Sequence, residues 1–262
     1  MTLWQGVLLG LVQGLTEFLP VSSSGHLVLA ETLAGVETPG VFVEVALHVA
    51  TLASVLVVYG GRLWSLLQGV LRGRRDDLRY AGLLAAATVP AGLVGVLLND
   101  VVERAFDSLA AAGAGFLVTG IVLWSTRRAP LPPDPGRPRW VDALAIGLAQ
   151  AGAILPGISR SGSTVSAGLW CRLAPAPAAE FSFLMAVPGI AGAALLESRE
   201  AVADIGAVGA IPLAAGCVVA LVSGVWAIRF LVTVLQRGRL YGFAPYCWAV
   251  GALTLGIALW RG

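Results

Sequence analysis

The chain has 262 residues, of which 57% are hydrophobic and 12% are charged, and its net charge is +2. Soluble domains carry about 25% charged residues, so this composition excludes a soluble globular protein and predicts an all-α polytopic membrane protein built as one domain. All the basic residues are arginines scattered along the chain. No basic patch therefore indicates a nucleic acid partner, and the lipid bilayer is the expected surrounding.

The first apolar stretch, residues 2–36, is interrupted in its middle by LPVSSSG (residues 19–25). Neither half reaches the roughly 20 residues that a transmembrane helix needs. The stretch therefore predicts a helix–loop–helix that enters the membrane and returns on the same side. Non-helical backbone at this depth is tolerated only where protein or a water-filled cavity surrounds it, so we expect the interruption to be enclosed.

Six uninterrupted apolar segments are predicted to cross the membrane, and a second interrupted stretch, residues 140–174, lies between the third and the fourth of them. The second stretch contains LPGISRSGST (residues 155–164) and has the same predicted helix–loop–helix form. The six predicted spans are residues 42–60, 80–99, 108–126, 180–198, 209–232 and 243–260.

The arginines agree with six spans and two re-entrant stretches, because thirteen of the 17 then fall on one side of the membrane. The positive-inside rule makes that side cytoplasmic. Both chain termini are therefore predicted outside, with the first interrupted stretch entering from the outside and the second from the cytoplasm. The thirteen are Arg62, Arg72, Arg74, Arg75, Arg79, Arg127, Arg128, Arg137, Arg139, Arg172, Arg229, Arg237 and Arg239.

The two interrupted stretches resemble each other in sequence. GLVQ (residues 10–13) and GLAQ (residues 147–150) each precede a Leu-Pro pair, and a Ser-Gly pair follows in both. Three spans and one re-entrant pair, repeated in opposite orientation, make an inverted-topology repeat. The two halves are predicted at residues 1–128 and 138–262. Such repeats place their site near the membrane midplane, where the interrupted helices meet.

Polar residues of the first stretch form one half of the candidate site. Gln13 and Glu17 are four residues apart, so they share one face of a helix. Ser22 and Ser23 precede His26 by four and three residues, so a helix that begins near Ser22 places a serine hydroxyl beside the imidazole. A hydroxyl next to a base is how a serine nucleophile is activated.

Polar residues of the second stretch form an anion-binding half. Arg160 offers a planar guanidinium that suits phosphate oxygens, and Ser159, Ser161 and Thr164 offer hydroxyls. A helix that begins near Ser161 also points its free N–H groups at an anion. A phosphate or diphosphate is the predicted ligand. Because Glu17 would repel it, we expect a divalent cation, Mg²⁺ or Ca²⁺, with Glu17 as its candidate ligand.

Each of these residues also has a structural explanation, which the sequence leaves open. Serines in apolar helices often hydrogen-bond to the carbonyl one turn back. His26 can join two helices through a hydrogen bond, and Glu17 and Arg160 can form a structural ion pair. His48, near the start of a predicted span, is interpreted as an interfacial residue rather than a catalytic one.

These motifs resemble the bacterial undecaprenyl-diphosphate phosphatase family, integral-membrane enzymes linked to bacitracin resistance, and the likeness covers nearly the whole chain. The family's first motif is Glu or Gln followed four residues later by Glu, as in QGLTE (residues 13–17). Its second motif, PGxSRSxxT, is matched by PGISRSGST (156–164). EFLPVSSSGH (17–26) and EFSFLMAVP (180–188) also look like the family. Gln at position 13 removes one carboxylate from a metal site.

The resemblance implies hydrolysis of undecaprenyl diphosphate to undecaprenyl phosphate in the bacterial inner membrane, which recycles a lipid carrier for cell-wall synthesis. Ser23 or its neighbour Ser22 would be the nucleophile and His26 its acid/base partner. Glu17 would position or activate this pair, or hold the metal. Attack by water with Glu17 as the base is the alternative. The catalytic candidates are Glu17, Ser23, His26 and Arg160, and the substrate-binding candidates are Gln13, Ser22, Ser159, Arg160, Ser161 and Thr164.

Two other functions stay open at this level. Inverted repeats with interrupted helices are a transporter architecture, so the chain also fits an anion transporter or a lipid-phosphate flippase, although transport needs no nucleophile. An intramembrane serine protease would use Ser and His but would leave Arg160 without a role. The oligomeric state is not decided by the sequence, and a homodimer is among the options.

Overall fold

The computed structural model of the protein describes residues 1–34, 41–130, 137–201 and 209–261. Within those ranges the chain forms eleven α-helices and two short 3₁₀ turns and no strand, which confirms the predicted all-α class. Residues 35 and 36, the end of the first predicted stretch, lie outside them. The helices are α1 Leu3–Phe18, α2 Ser23–Ala34, α3 Val41–Leu71, α4 Arg75–Leu97, α5 Asn99–Phe106, α6 Leu109–Ser125, α7 Trp140–Gly152, α8 Arg160–Trp170, α9 Pro175–Ala201, α10 Ala210–Gln236 and α11 Ala244–Arg261.

Five helical segments of the described chain are long and apolar enough to cross a membrane, and they correspond to five of the six predicted spans. The remaining predicted span, residues 180–198, lies within α9, a continuous helix of 27 residues that is not one of the five. The chain is a multi-pass membrane protein. The five segments are Val43–Leu71, Arg75–Leu97, Leu109–Arg128, Ala210–Gln236 and Leu240–Trp260.

Both interrupted stretches consist of two short helices joined by a turn, as predicted. In the first turn, residues 19–22, Ser22 has a left-handed backbone with φ of 68°. In the second turn, residues 153–159, Gly157 has φ of 81°. A Cβ at Gly157 would lie 2.0 Å from the backbone oxygen of Ala112, so both the conformation and the close approach require glycine.

The first helix of each interrupted stretch packs on a helix from the other half of the chain. Helix α1 lies along α10, and α7 lies along α4. A Cβ on Gly10 would lie 2.1 Å from the backbone oxygen of Gly216, and a Cβ on Gly147 would lie 2.5 Å from that of Ala87. Small residues at such contacts let helices approach closely within a membrane.

Gly10→Ala is expected to destabilise the protein by about 1–3 kcal/mol, because the added methyl group overlaps the backbone of α10 and forces the helices apart. Gly256→Ala is the matched control, since open space surrounds Gly256 in α11 and alanine is the better helix former. The measurement is the midpoint of thermal unfolding in detergent. Equal midpoints for the two variants would contradict the packing of α1 on α10.

Buried contacts hold both turns in place. Phe18, at the end of α1, makes an edge contact with Phe183 of α9, with ring centroids 5.7 Å apart. In the second turn, the hydroxyl of Thr119 accepts a hydrogen bond from the backbone N–H of Ser159 at 2.9 Å and donates one to the carbonyl of Gly157 at 2.8 Å. The N–H of Ser159 and the carbonyl of Gly157 are therefore satisfied inside the protein.

Candidate active site

Glu17, in the last turn of α1, joins the two interrupted stretches. Its buried carboxylate accepts hydrogen bonds at Oε2 from Nε2 of Gln13, at 3.1 Å, and from Oγ of Ser23, at 2.8 Å. Its Oε1 accepts a hydrogen bond from the guanidinium of Arg160 at 2.5 Å. The prediction that polar residues of the two stretches meet is confirmed, as is the prediction that Gln13 and Glu17 share one helix face.

The left-handed turn at Ser22 precedes the serine that contacts this carboxylate. The Oγ of Ser22 accepts a hydrogen bond from the backbone N–H of Gly25 at 3.3 Å and lies 3.3 Å from Oγ of Ser24. The Ser22 hydroxyl thus makes its contacts with residues in the first turn of α2. Left-handed residues other than glycine are uncommon, and strained backbone clusters at functional sites. Of the two candidate nucleophiles, Ser23 is the one that contacts Glu17.

His26 makes its contacts elsewhere. Its Nδ1 is 2.7 Å from the backbone oxygen of Ser22, and its Nε2 is 2.7 Å from the hydroxyl of Tyr246, on whose ring the imidazole stacks. Because a carbonyl only accepts, Nδ1 carries a proton, and in the neutral ring Nε2 accepts from Tyr246. Both ring nitrogens thus have partners other than Ser23, and the acid/base role of His26 stays a prediction.

His48 of α3 lies close to the carboxylate, although its interpretation as an interfacial residue did not include this contact. Its Nδ1 donates to the backbone oxygen of Glu44 at 2.8 Å, and its Nε2 lies 3.7 Å from Oε2 of Glu17. An ionisable side chain within an apolar span is a functional candidate by default. That signal was present in the sequence and could have identified His48.

Two serines predicted to bind phosphate hold the second turn in this structure. Ser159 caps α8, its Oγ accepting a hydrogen bond from the backbone N–H of Gly162 at 3.1 Å. The Oγ of Ser161 donates to the backbone oxygen of Leu19 at 3.2 Å, which ties the second turn to the first. Both serines are buried, and their binding of phosphate stays a prediction.

Thr164 joins α8 to α9, because its Oγ1 lies 2.6 Å from Oγ of Ser182 and donates to the backbone oxygen of Arg160 at 2.8 Å. Its predicted contact with phosphate likewise stays a prediction. Arg160 is the member of this motif that reaches Glu17. Its NH1 is buried and has no hydrogen-bond partner in the described part of the chain. A buried guanidinium donor without a partner suits a phosphoryl oxygen.

A cavity of ≈ 620 Å³, a size typical of small-molecule sites, is lined by part of this cluster, including Glu17, Ser23 and Arg160. The side chain of Gln150 also lines the cavity and is 7% exposed. The remainder of the wall is largely apolar and comes mainly from α4, α5, α9 and the second turn. The polar end is formed by Glu17, Ser23, His48, Gln150 and Arg160.

The polar end offers few protein ligands for a cation. Among the described residues, no three His, Cys, Asp or Glu side chains converge as a metal site. Both oxygens of Glu17 already accept hydrogen bonds, while Oε1 of Gln13 is buried and has no partner within the described ranges. Mg²⁺ is commonly held by one or two carboxylates plus substrate phosphates. The residues therefore fit a cation that a bound phosphate mainly coordinates, with Glu17 and Gln13 as its protein ligands.

The chain is similar to known proteins along almost its whole length. The family model for bacitracin resistance protein BacA matches residues 6–253. The undecaprenyl-diphosphatase of Syntrophotalea carbinolica is 43% identical over 264 residues, which cover 98% of this chain and 100% of that protein. The undecaprenyl-diphosphatase of Desulfosudis oleivorans is 42% identical over 97% of this chain and 98% of its own. That of Desulfatibacillum aliphaticivorans is 41% identical over 95% and 96%. These matches agree with the sequence motifs and with the site. The chain therefore belongs to the bacitracin resistance protein BacA family.

Proposed function

We propose that this protein hydrolyses undecaprenyl diphosphate to undecaprenyl phosphate and inorganic phosphate. The names of the relatives support the substrate. The main structural support for this reaction is a pair of contacts at the Glu17 carboxylate. It accepts a hydrogen bond from the Ser23 hydroxyl and another from the guanidinium of Arg160. Phosphoryl transfer to a serine needs a hydroxyl, a base and a positively charged side chain that binds the phosphate.

Glu17 is the base in this proposal, because it is the group that contacts the serine hydroxyl. Oγ of Ser23 attacks the terminal phosphorus while its proton passes to Oε2 of Glu17. The bond from that phosphorus to the bridging oxygen breaks, and undecaprenyl phosphate leaves with the proton returned by Glu17. Water then attacks the phosphoserine while Glu17 takes one of its protons. The bond from the phosphorus to Oγ of Ser23 breaks, Glu17 returns that proton to Oγ, and inorganic phosphate is released.

Arg160 stabilises the charge on the transferring group. Its NH2 is used by Glu17, which leaves the unpaired NH1 to donate to a phosphoryl oxygen. Such donors act most strongly where charge develops in a site shielded from water. His26 has a positioning role here, since its Nδ1 bond to the backbone oxygen of Ser22 holds the turn that presents Ser23.

A divalent cation, Mg²⁺ or Ca²⁺, would supply further positive charge at the phosphoryl oxygens, with Glu17 and Gln13 as its protein ligands. Purified protein in detergent is expected to release phosphate from undecaprenyl diphosphate and to lose about 10²-fold of its rate in EDTA, because several kcal/mol of charge stabilisation are removed. Gln13→Glu is the matched variant, and its added carboxylate should lower the cation concentration needed for half-maximal rate.

The detergent assay also separates hydrolysis from transport, because it contains no membrane compartments. An unchanged rate in EDTA would contradict the proposal that a divalent cation takes part in the reaction. Absence of phosphate release, together with movement of a lipid phosphate across a reconstituted bilayer, would favour the transporter over the phosphatase.

We further propose that residues 1–128 and 138–262 form an inverted-topology repeat with α9 as the sixth span, and that the protein lies in the bacterial inner membrane. The packing of α1 on α10 corresponds to that of α7 on α4 under this repeat, which supports it. The distribution of arginines supports termini on the outer side, and the site would open to that side. Homodimer formation stays a prediction.

A further inference from the structure

Helices α4 and α9 are packed together along one part of their length. Ala87 of α4 belongs to the same buried cluster as Phe181 and Met185 of α9. Further along, each helix contains a proline, Pro90 in α4 and Pro188 in α9. Beyond the prolines, residues of both helices line the cavity of the candidate site. The two helices therefore leave a groove there that is continuous with the polar end.

Four glycines line this groove, Gly92 and Gly95 on α4 and Gly189 and Gly192 on α9, and we call it the glycine groove. A Cβ added at any of the four would have no atom within 4 Å. Glycine inside a helix is a much poorer helix former than alanine. Because no close helix contact requires these glycines, in contrast to Gly10, they keep space open beside the cavity.

The cavity has one polar and one apolar end, as a site for an amphipathic molecule requires. At the polar end, NH1 of Arg160 is buried and has no partner in the described chain, and the side chain of Gln150 lines the cavity. Buried polar groups are nearly always hydrogen-bonded, so the free NH1 of Arg160 points to a ligand. At the apolar end, Val96 is 74% exposed on a helix that is apolar enough to span the membrane. The glycine groove thus opens where lipid surrounds the protein.

We propose that the glycine groove holds the first isoprene units of the substrate's polyprenyl tail and leads the tail into the bilayer between α4 and α9. The inference rests on the proposed function, because the tail belongs to that substrate. A diphosphate bound at Arg160 has its lipid attached on the side away from the reacting phosphorus, and the groove is the apolar continuation of the same cavity. Small residues along the groove leave room for a branched chain.

The test fills the groove with side chains and compares substrates of different tail length. Gly92→Leu and Gly192→Leu are compared with Gly256→Leu, which lies in open space on α11 and outside the cavity wall. All three replace a helical glycine by a better helix former, so folding is retained. Phosphate release is measured from isopentenyl, farnesyl and undecaprenyl diphosphates. For the two groove variants, kcat/KM is expected to fall about tenfold or more for undecaprenyl diphosphate and least for isopentenyl diphosphate.

A binding measurement makes the test independent of catalysis. Undecaprenyl phosphate and inorganic pyrophosphate are each titrated while the midpoint of thermal unfolding is recorded, because a ligand stabilises the folded state that binds it. Gly92→Leu should lose most of the upward shift caused by undecaprenyl phosphate and keep the shift caused by pyrophosphate. Gly256→Leu should keep both shifts, since Gly256 lies outside the cavity wall.

The outcomes separate the groove from the proposed function. Equal losses on all three substrates, no loss on any of them, or the same losses in Gly256→Leu would overturn the tail groove while leaving the phosphatase intact. If the wild type hydrolyses none of the diphosphates, the proposed function fails. The binding of undecaprenyl phosphate by wild type and Gly92→Leu then still decides whether the groove takes a polyprenyl chain.

Discussion

Ser23→Ala should lower kcat for undecaprenyl diphosphate by about 10⁴-fold or more while changing KM little, because it removes the attacking oxygen without touching the phosphate-binding guanidinium. Ser23 is proposed as the nucleophile because its hydroxyl donates a hydrogen bond to the Glu17 carboxylate at 2.8 Å. The measurement is phosphate release from purified protein in detergent, with kcat and KM determined separately.

Ser24→Ala is the control for this prediction. The hydroxyl of Ser24 lies 3.3 Å from that of Ser22 and makes no hydrogen bond to Glu17, so its loss should change kcat by less than about threefold. Near-normal turnover by Ser23→Ala would favour direct attack by water. In that case Glu17→Gln should still abolish the reaction, because Glu17 would be the base for the water.

Arg160→Ala should lower kcat/KM by about 10³-fold, since it removes the donor that faces the phosphoryl oxygens. It should also destabilise the fold by about 3–5 kcal/mol, because Glu17 is then left as a buried carboxylate without its charge partner. Arg160→Lys keeps the charge but loses the planar fork, so it should recover more stability than activity. Unfolding midpoints and kinetics are measured on the same preparations.

A double variant separates the structural ion pair from the catalytic role. Glu17→Gln combined with Arg160→Met removes both charges, so its stability should return towards that of the wild type while its activity stays lost. If Arg160→Ala lost stability but retained its kcat and KM, the arginine would be only the structural partner of Glu17. The role assigned to it in phosphate binding would then be wrong.

Local sequence patterns predicted the parts of the site that depend on spacing along one helix. The four-residue spacing of Gln13 and Glu17 gives their hydrogen bond within α1, and the Pro, Gly and Ser residues mark both turns. The meeting of Glu17 with Arg160, 143 residues apart, followed from the resemblance of the two stretches and from the need to enclose charged groups in a membrane. The glycines of α1 did not predict which helix packs against α1; that neighbour, α10, is known only from the structure.

Contacts that depend on distant helices could not be predicted from the sequence. His26 bonds to Tyr246, 220 residues away, whereas sequence spacing indicated only that a serine was within reach. The Ser161 hydroxyl donates to the backbone oxygen of Leu19, and the Thr164 hydroxyl contacts Ser182 of α9. Buried hydroxyls form hydrogen bonds with whichever partners the fold places beside them. The orientation of a side chain around its helix is set by these neighbours.

The stereochemical course at the terminal phosphorus tests the serine mechanism most directly. A substrate whose terminal phosphorus carries one sulfur and two different oxygen isotopes is hydrolysed in water that supplies the third isotope, and the configuration of the released inorganic thiophosphate is determined. Attack by Ser23 followed by attack of water consists of two in-line displacements, each of which inverts the phosphorus. Attack by Ser23 is therefore expected to give overall retention of configuration. Inversion would mean a single displacement by water and would contradict the assignment of Ser23 as the nucleophile.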